Sequence, residues 1–263
     1  METFTPLILV FGTILSYTLV AFLVSVFLKN NNVADVAYGL GFVVVSWVLF
    51  LRNGIPDFEL SARWIVVLLI TLWGLRLSIY LGIRAWKKAE DWRYAIWRDR
   101  WGVVGKLYFY VRSFVQIYLL QAFLIYLVLV PVIHMLVTGT SVDSKYFIVG
   151  VIVFALGFLI ETVADIQLYR FKKNNPPDTL FTKGLFAYSR HPNYFGEMLV
   201  WWGFFIMTLA SSNWFLTIIS PIAVTYILYA IAGPMVEAHL ESRALFSEYK
   251  KKTRYFFPGQ RSK

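Results

Sequence analysis

The sequence predicts an all-α integral membrane protein: a seven-transmembrane helix bundle with a short cytoplasmic C-terminal helix. Three observations support this class. The 263 residues are 59% hydrophobic and only 15% charged, with a mean hydropathy of +0.62, which is outside the usual range of soluble domains. Seven stretches approach the roughly 20 apolar residues that a spanning helix needs. The connections between them alternate between basic and nearly neutral.

We predict the spans at residues 5–28, 33–51, 63–83, 108–137, 146–170, 194–212 and 214–236. The first stretch is long for the core of a cleavable signal peptide and has no basic segment before it, so we expect it to be retained. No repeat or linker interrupts the pattern, which predicts one domain over residues 1–263. The tail from Glu237 to Lys263 alternates apolar and charged residues, which predicts a short surface helix. That helix could anchor to anionic lipid or cover a site.

The charges of the connections predict the orientation. Residues 84–107 carry seven basic and three acidic side chains, residues 171–193 carry four basic and one acidic, and the tail is again basic. The connections 52–62, 138–145 and 211–213 are close to neutral. Because basic connections stay on the cytoplasmic side, we expect the N-terminus outside and the C-terminus in the cytoplasm.

The composition excludes several classes of site. The chain has no cysteine, so a disulfide scaffold, a thiolate metal site and a cysteine nucleophile are excluded. The histidines His134, His191 and His239 form no metal-ligand pattern, and we expect no metal. The net charge of +10 indicates orientation and anionic headgroups in a membrane protein rather than nucleic acid. Glycine-rich nucleotide motifs are absent from the sequence, so any nucleotide must bind by another design.

Ionisable residues within the spans are candidates for function, because a charge in the membrane is costly without a partner or a ligand. Asp35 and Tyr38 lie one turn apart near the start of the second span, where Asp35 could equally cap the helix. Arg76, with Tyr80 one turn on, predicts an internal partner in the third span. Arg112 on the fourth span could have the same role or could anchor at the surface.

Two carboxylates share one face of the fifth span. Glu161 and Asp165 are four residues apart, and they repel each other unless a cation or a hydrogen-bond donor stands opposite. Arg76 or Arg112 could be that cation. The alternative is a purely structural network of these charges.

The stretch from Arg190 to Glu197, Arg-His-Pro-Asn-Tyr-Phe-Gly-Glu, lies at the threshold of the sixth span. Pro192 favours the first position of a helix and disfavours helix at His191, so we expect the helix to begin at Pro192. Asn193 and Glu197 then share one helix face. This spacing predicts a site at the cytoplasmic mouth of the bundle.

A second polar segment, Glu-Asp-Trp-Arg-Tyr at residues 90–94, is followed by further arginines and tryptophans up to Trp101. Interfacial anchoring explains such a segment without a function. Arginines beside stacking rings, here Arg93 and Tyr94, would equally suit the phosphates and adenine of a dinucleotide.

Taken together, the motifs resemble the bacterial branch of the steroid 5-alpha-reductase family. The resemblance rests on residues 91–94, on 184–186 leading into 189–197, on 201–203 and on the ending 249–258. It implies a seven-helix membrane reductase that uses NADPH to reduce a carbon–carbon double bond conjugated to a carbonyl in a steroid-like or other lipid. The bacterial character of these motifs favours an inner membrane.

The resemblance also implies a cofactor site. Asn193 and Glu197 resemble the residues that hold the nicotinamide end, Asp165, Arg76 and Tyr80 resemble the cofactor wall, and Arg190 stands near the phosphates. His239 and Tyr249 resemble tail positions that close over the cofactor. The predicted cofactor residues are Arg76, Tyr80, Arg93, Tyr94, Arg112, Asp165, Lys172, Tyr188, Arg190, Asn193, Glu197, His239 and Tyr249.

The substrate end departs from the family. The steroid enzymes polarise the carbonyl with a glutamate on span two and a tyrosine on span three, whereas Asp35 and Trp73 occupy these places here. An indole N–H can donate a hydrogen bond but cannot deliver a proton. We therefore expect Asp35, protonated by burial, or Tyr38 to act as the donor during hydride transfer to the β carbon of an enone.

The alternative reading is an S-adenosylmethionine-dependent methyltransferase acting on a lipid or an isoprenylcysteine-type substrate. The Arg-His-Pro-x-Tyr motif allows this function, with Arg190, His191, Tyr194 and Glu237 or Glu241 contacting the methyl donor. It would leave Asp35, Arg76 and Asp165 unexplained.

Overall fold

A computed structural model describes residues 4–52, 54, 61–85, 90–139, 141–142, 144–176 and 178–260, with side chains from Pro6 onward. Over these residues the chain is helical and contains no β-strand, in agreement with the predicted all-α class. Some residues used to predict the orientation, Asp57, Glu59, Lys87, Lys88 and Asp143, lie outside the described residues.

The described chain groups into two compact units, Met1–Val142 and Asp143–Lys263; the single domain stays a prediction. The helices of the first unit are α1 (Phe4–Leu28), α2 (Asn32–Arg52), α3 (Ala62–Ala85), α4 (Trp92–Gly102), α5 (Lys106–Ser113), a π-helical segment (Phe114–Leu119), α6 (Leu120–Val128) and α7 (Val130–Thr138).

The fourth predicted span, 108–137, is shorter in the structure. The spanning helix runs over Lys106–Val128, and the chain turns at Leu129 before the separate helix α7. Pro131 explains the break, because it has no N–H for the carbonyl of Leu127 and disfavours helical geometry at Val130.

The second unit contains α8 (Lys145–Asn174), a 3₁₀ turn (Gly184–Ala187), α9 (Pro192–Thr208), a second 3₁₀ turn (Trp214–Ile218), α10 (Ile219–Tyr226), a π-helical segment (Ile227–Ala232), α11 (Gly233–Leu240) and α12 (Phe246–Lys252). The expected helix start at Pro192 is confirmed, with His191 in a non-helical conformation before it. The short helix predicted in the tail is present as α12.

Helices α8 and α9 pack closely through glycine. A Cβ atom on Gly196 would lie 2.5 Å from the backbone nitrogen of Glu161, and one on Gly157 would lie 2.6 Å from the carbonyl oxygen of Gly196. Small residues allow membrane helices to approach until their backbones touch. This close pair sets Glu161 and Asp165 of α8 beside the first turns of α9.

Within the described residues, six helices are long and apolar enough to cross a membrane: Pro6–Leu28, Asn32–Arg52, Ala62–Ala85, Lys106–Val128, Lys145–Asn174 and Trp214–Leu240. The predicted span 194–212 corresponds to α9, which has only 17 residues. A helix of that length extends about 25 Å, slightly less than the roughly 30 Å hydrocarbon core. The six helices indicate a multi-pass membrane protein.

Candidate functional site

Asp35 lies in the first turn of α2 and is held by two residues of α4. The hydroxyl of Tyr94 donates to Asp35 Oδ1 at 2.5 Å, and Arg93 Nη2 lies 3.4 Å from Asp35 Oδ2. Tyr94 is buried. The predicted catalytic carboxylate and two predicted cofactor residues are thus brought together in the first unit.

The chain before α4 positions these donors. Asp91 caps α4 by accepting from the backbone N–H of Arg93 at 3.1 Å and from Arg93 Nε at 2.9 Å. Its own backbone N–H donates to Asn32 Oδ1 at 2.8 Å. The cap therefore ties α4 to the start of α2 while it orients the guanidinium of Arg93.

Glu90 forms a second tie between the same segments. It accepts from the backbone N–H of Asn31 at 2.7 Å and from Arg98 Nε at 2.6 Å and Nη2 at 2.8 Å. We call the charged residues of this region the α2–α4 charge cluster: Asp35, Glu90, Asp91, Arg93 and Arg98. A paired carboxylate and guanidinium satisfy each other's hydrogen-bonding capacity in a partly buried place.

The surroundings shift the pKa values of the α4 residues. Burial opposes ionisation of Asp91, but the hydrogen bonds from Arg93 outweigh it and hold the Asp91 pKa below its usual value. Burial and the neighbouring Asp35 raise the pKa of Tyr94 well above its usual value. Tyr94 therefore keeps its proton and remains a hydrogen-bond donor.

The other predicted catalytic residues follow Asp35 along α2 and α3. Tyr38 and Phe42 stack edge to face at 4.9 Å, and Phe42 meets Trp73 edge to face at 5.2 Å. Trp73 is fully buried in the core between α2 and α3. Tyr38 is half-buried and lines a small cleft that also contains Tyr118 and Gln121. Of the predicted catalytic residues Asp35, Tyr38 and Trp73, Tyr38 is the one that lines this cleft.

The cofactor residues predicted on α3 and α5 are half-buried: Arg76, Tyr80 and Arg112. The guanidinium carbon of Arg112 lies 5.7 Å from the ring centre of Trp101 and 5.9 Å from that of Tyr108. Arg112 Nε is buried without a hydrogen-bond partner among the described residues. A donor beside two aromatic rings is the arrangement that an anionic or aromatic ligand would use.

In the second unit, Asp165 and Asn193 are brought together across the α8–α9 contact. Asn193 Nδ2 lies 3.3 Å from Asp165 Oδ1. Glu161 and Asp165 are only 2% and 5% exposed, while Asn193 and Glu197 are half-buried. Asn193 and the two buried carboxylates of α8 therefore form a polar patch in an otherwise apolar helix pair.

Arg190 contacts both α11 and the part of the tail from Lys250 to Thr253. Its Nε donates to Glu237 Oε1 at 2.5 Å, and its Nη1 donates to the carbonyl of Thr253 at 2.5 Å and of Lys250 at 3.1 Å. The side chains of Arg190 and Glu237 are each 9% exposed. We call these contacts the Arg190 clasp, because they hold α11 and the tail to the segment before α9.

The neighbours of Arg190 extend the clasp. His191 Nε2 lies 3.4 Å from Glu237 Oε1, and its ring stacks on Tyr194 at 5.3 Å. Ser189 Oγ donates to the carbonyl of Phe256 at 2.7 Å, and the hydroxyl of Tyr249 donates to the carbonyl of Phe186 at 2.6 Å. Predicted cofactor residues Tyr188, Lys172 and His239 are exposed.

Sequence reasoning about a reductase missed Glu237, Glu90 and Ser189. Glu237 carried a signal, since it is an acidic residue at the end of an apolar span, and it was connected only with the methyltransferase alternative. Glu90 belonged to the predicted polar segment without an assigned partner. Ser189 had no signal, because serine is common at turns.

Comparison with known proteins adds a family and two relatives. Residues 21–253 match a family described as "Protein of unknown function (DUF1295)". An uncharacterised protein of the yeast Schizosaccharomyces pombe, C594.04c, is 26% identical over 279 residues, covering 95% of this chain and 79% of that protein. Steroid 5-alpha-reductase DET2 of Arabidopsis thaliana is 38% identical over 63 residues, which is 24% of each chain.

Proposed function

Because this chain belongs to the DUF1295 family of proteins of unknown function, we propose that it is a membrane reductase that uses NADPH to reduce a carbon–carbon double bond conjugated to a carbonyl in a steroid-like or other lipid. The partial similarity to a steroid 5-alpha-reductase supports the reductase class. The proposal includes a seventh span formed by α9, with the C-terminus in the cytoplasm of a bacterial cell.

The observation that carries this proposal is the polar patch of α8 and α9. Two carboxylates that are almost fully buried, those of Glu161 and Asp165, stand in a helix long and apolar enough to cross a membrane, and Asn193 directs its amide at Asp165. Ionisable groups in spanning helices are retained mainly where they bind something or carry out chemistry. In this proposal Asn193 and Glu197 hold the nicotinamide end, beside Asp165.

The donor set of the first unit fits the phosphate and adenine parts of a dinucleotide. Arg112 offers a buried nitrogen that has no hydrogen-bond partner in the described part of the chain and lies beside two aromatic rings. Such a group is suited to a phosphate or a base. When bound, NADPH supplies the hydride. Arg76, Tyr80, Arg93 and Tyr94 are the other proposed cofactor residues of the first unit. Lys172, Tyr188, His239 and Tyr249 are proposed cofactor residues of the second unit.

The chain's own residues would bind the substrate carbonyl and supply the proton. Tyr38 lines a cleft, which supports the proposal that its hydroxyl donates to a carbonyl oxygen and stabilises developing enolate charge. Asp35 is the second candidate donor, and the hydrogen bonds that it accepts from Tyr94 and Arg93 hold it in position. Trp73 shapes the apolar wall behind Phe42.

The methyltransferase alternative would need Arg190, His191, Tyr194 and Glu237 to face a methyl donor. In the structure the Nε and Nη1 donors of Arg190 are directed at Glu237 and at the tail carbonyls. Those contacts favour a structural role for Arg190, and they count against its predicted place near the NADPH phosphates as they do against a contact with a methyl donor. Binding of S-adenosylmethionine in the test below would support the methyltransferase instead.

The test is a thermal-shift comparison of NADPH with S-adenosylmethionine on the purified protein, followed by NADPH oxidation with a panel of enone lipids. A ligand that binds the folded state raises the unfolding temperature by mass action. We expect protection by NADPH, loss of that protection in Asn193→Ala, and reduced turnover in Tyr38→Phe. Protection by S-adenosylmethionine instead would replace the reductase with the methyltransferase, and full turnover in both Tyr38→Phe and Asp35→Ala would remove these residues from the donor role.

A further inference from the structure

A polar cleft in the first unit is separate from the residues assigned to the reaction. It is lined by the C-terminal end of α1, by Asn31 and Arg98, and by one face of α5. None of the candidate catalytic or cofactor residues lines it. The cleft therefore needs its own explanation.

Two polar side chains in this cleft are buried without a partner. Asn31 is 3% exposed and Ser113 is 1% exposed. Asn31 Nδ2 and Ser113 Oγ have no hydrogen-bond partner among the described residues. By contrast, Ser25 in the same cleft donates to the carbonyl of Phe22 at 2.7 Å. Because an unmade hydrogen bond in a buried place is unfavourable, the two free groups point to an acceptor atom that fills the cleft.

The charges around the cleft favour an anionic acceptor. Lys29 and Arg98 both line it, and the carboxylate of Glu90 is engaged by Arg98 and by the Asn31 backbone. The two charged side chains among the residues that line the cleft are therefore both cations. Amide and hydroxyl donors next to cations are the groups that bind phosphate oxygens.

The same two elements also carry exposed apolar side chains. Phe27 and Leu28 stand exposed at the end of α1, and Leu107 and Val111 stand exposed on α5. In a membrane protein such surfaces contact acyl chains. An anionic group beside an acyl-chain surface is the chemistry of a phospholipid.

We propose that this cleft binds the phosphate of an anionic phospholipid, with a phosphate oxygen accepting from Asn31 Nδ2 and Ser113 Oγ. Lys29 and Arg98 set the preference for a headgroup of net negative charge. The acyl chains lie along the exposed apolar faces of α1 and α5. The site is independent of the proposed reductase activity, since it shares no residue with it.

The test measures lipid retention by the full-length protein in detergent, with native mass spectrometry and the unfolding temperature as readouts. We expect dioleoyl phosphatidylglycerol to be retained and to raise the unfolding temperature, and dioleoylglycerol and inorganic phosphate to do neither. Asn31→Ala with Ser113→Ala should weaken retention at least about a hundredfold, the effect of losing two hydrogen bonds to a charged group. Ser25→Ala is the matched control, since its hydroxyl bonds within α1, and it should retain the lipid as the unchanged protein does.

Lys29→Gln should reduce the preference for phosphatidylglycerol over phosphatidylcholine. Both lipids should still be retained by this variant. Equal retention of dioleoylglycerol would show that the chains alone bind. Equal protection by inorganic phosphate would show a site for free anions rather than lipid. Unchanged retention in the double variant would overturn the assignment of the two donors.

A second measurement needs no variant and covers the case in which the double variant does not fold. Phosphatidylglycerol with a photoreactive group on its headgroup would be crosslinked to the unchanged protein, and the adducts mapped by peptide. Labelling is expected in residues 22–31 and 106–113, which include the cleft. Labelling that misses both segments would overturn the proposal.

Discussion

At the scale of single residues, Tyr94 holds Asp35 through the hydrogen bond of 2.5 Å between α4 and α2. Tyr94→Phe removes this donor and leaves the ring in place. We expect a loss of stability of about 0.5–1.5 kcal/mol, the typical net contribution of one intramolecular hydrogen bond. The measurement is chemical unfolding in detergent, monitored by tryptophan fluorescence.

Tyr108→Phe is the control for that change, because Tyr108 is exposed and contributes its ring to the contact with Arg112. Its stability should match that of the unchanged protein. Equal stability of Tyr94→Phe and Tyr108→Phe would mean that the bond to Asp35 contributes nothing to the fold.

Asp91 gives a prediction for pH. Its folded-state pKa lies below the usual value of 3.8 because the hydrogen bonds from Arg93 outweigh burial. A carboxyl with a depressed pKa stabilises the fold above its unfolded pKa, and that contribution is lost as pH falls through the folded pKa. Asp91→Asn should therefore be less stable than the unchanged protein near neutral pH, and the difference should shrink below about pH 4. A difference that is constant between about pH 6 and pH 3 would contradict the assignment.

At the scale of elements, the α8–α9 pair depends on backbone contact. In Gly196→Ala the new Cβ would lie 2.5 Å from the backbone nitrogen of Glu161 and 2.7 Å from the carbonyl of Gly157. Neither backbone atom can move without shifting a helix, so we expect a loss of about 1–3 kcal/mol. Gly12→Ala is the control, since nothing stands within 4 Å of its Cβ position. Thermal unfolding of the two variants in detergent should separate them, and equal midpoints would contradict the close packing.

The Arg190 clasp holds the tail, and its removal should free the tail for proteolysis. Glu237→Gln takes away the charged partner of Arg190 in a pair that is 9% exposed on each side, and breaking a buried pair on one side is strongly destabilising. We expect trypsin to cleave between residues 250 and 254 faster than in the unchanged protein. Glu248→Gln is the control, because its pair with Lys252 is exposed and exposed pairs add little. Equal cleavage rates would mean that Arg190 does not secure the tail.

At the scale of the whole molecule, α9 decides the topology. Six of the described helices qualify as spans by length and composition, and an even number of spans would put both termini on one side. If the 17 residues of α9 also cross, the termini lie on opposite sides. We expect opposite sides, because local thinning of the bilayer can accommodate a slightly short helix at a modest cost.

Reporter fusions test this topology. Green fluorescent protein at the C-terminus should fluoresce, and alkaline phosphatase at the N-terminus, behind a separate export signal-anchor helix, should be active. A C-terminal fusion that is active as a phosphatase and dark as a fluorescent protein would contradict the predicted orientation.

The sequence by itself determined the helical membrane class, the start of α9 at Pro192 and the shared faces of Glu161 with Asp165 and of Asn193 with Glu197. These follow from local rules: apolar length, the geometry of proline, and the 3.6-residue period. The same rules overextended the fourth span, since the apolar run continues past Pro131 although the helix does not.

Only the tertiary structure decided which charges meet. Asp35 pairs with Arg93 and Tyr94, which lie 58 and 59 positions away in the chain. This pairing depends on how α4 folds back onto α2. That Glu237 pairs with Arg190 depends in the same way on how α11 and the tail return to the start of α9. Hydrogen bonds between distant segments have no period in sequence, because their partners are chosen by the packing of whole helices rather than by local geometry.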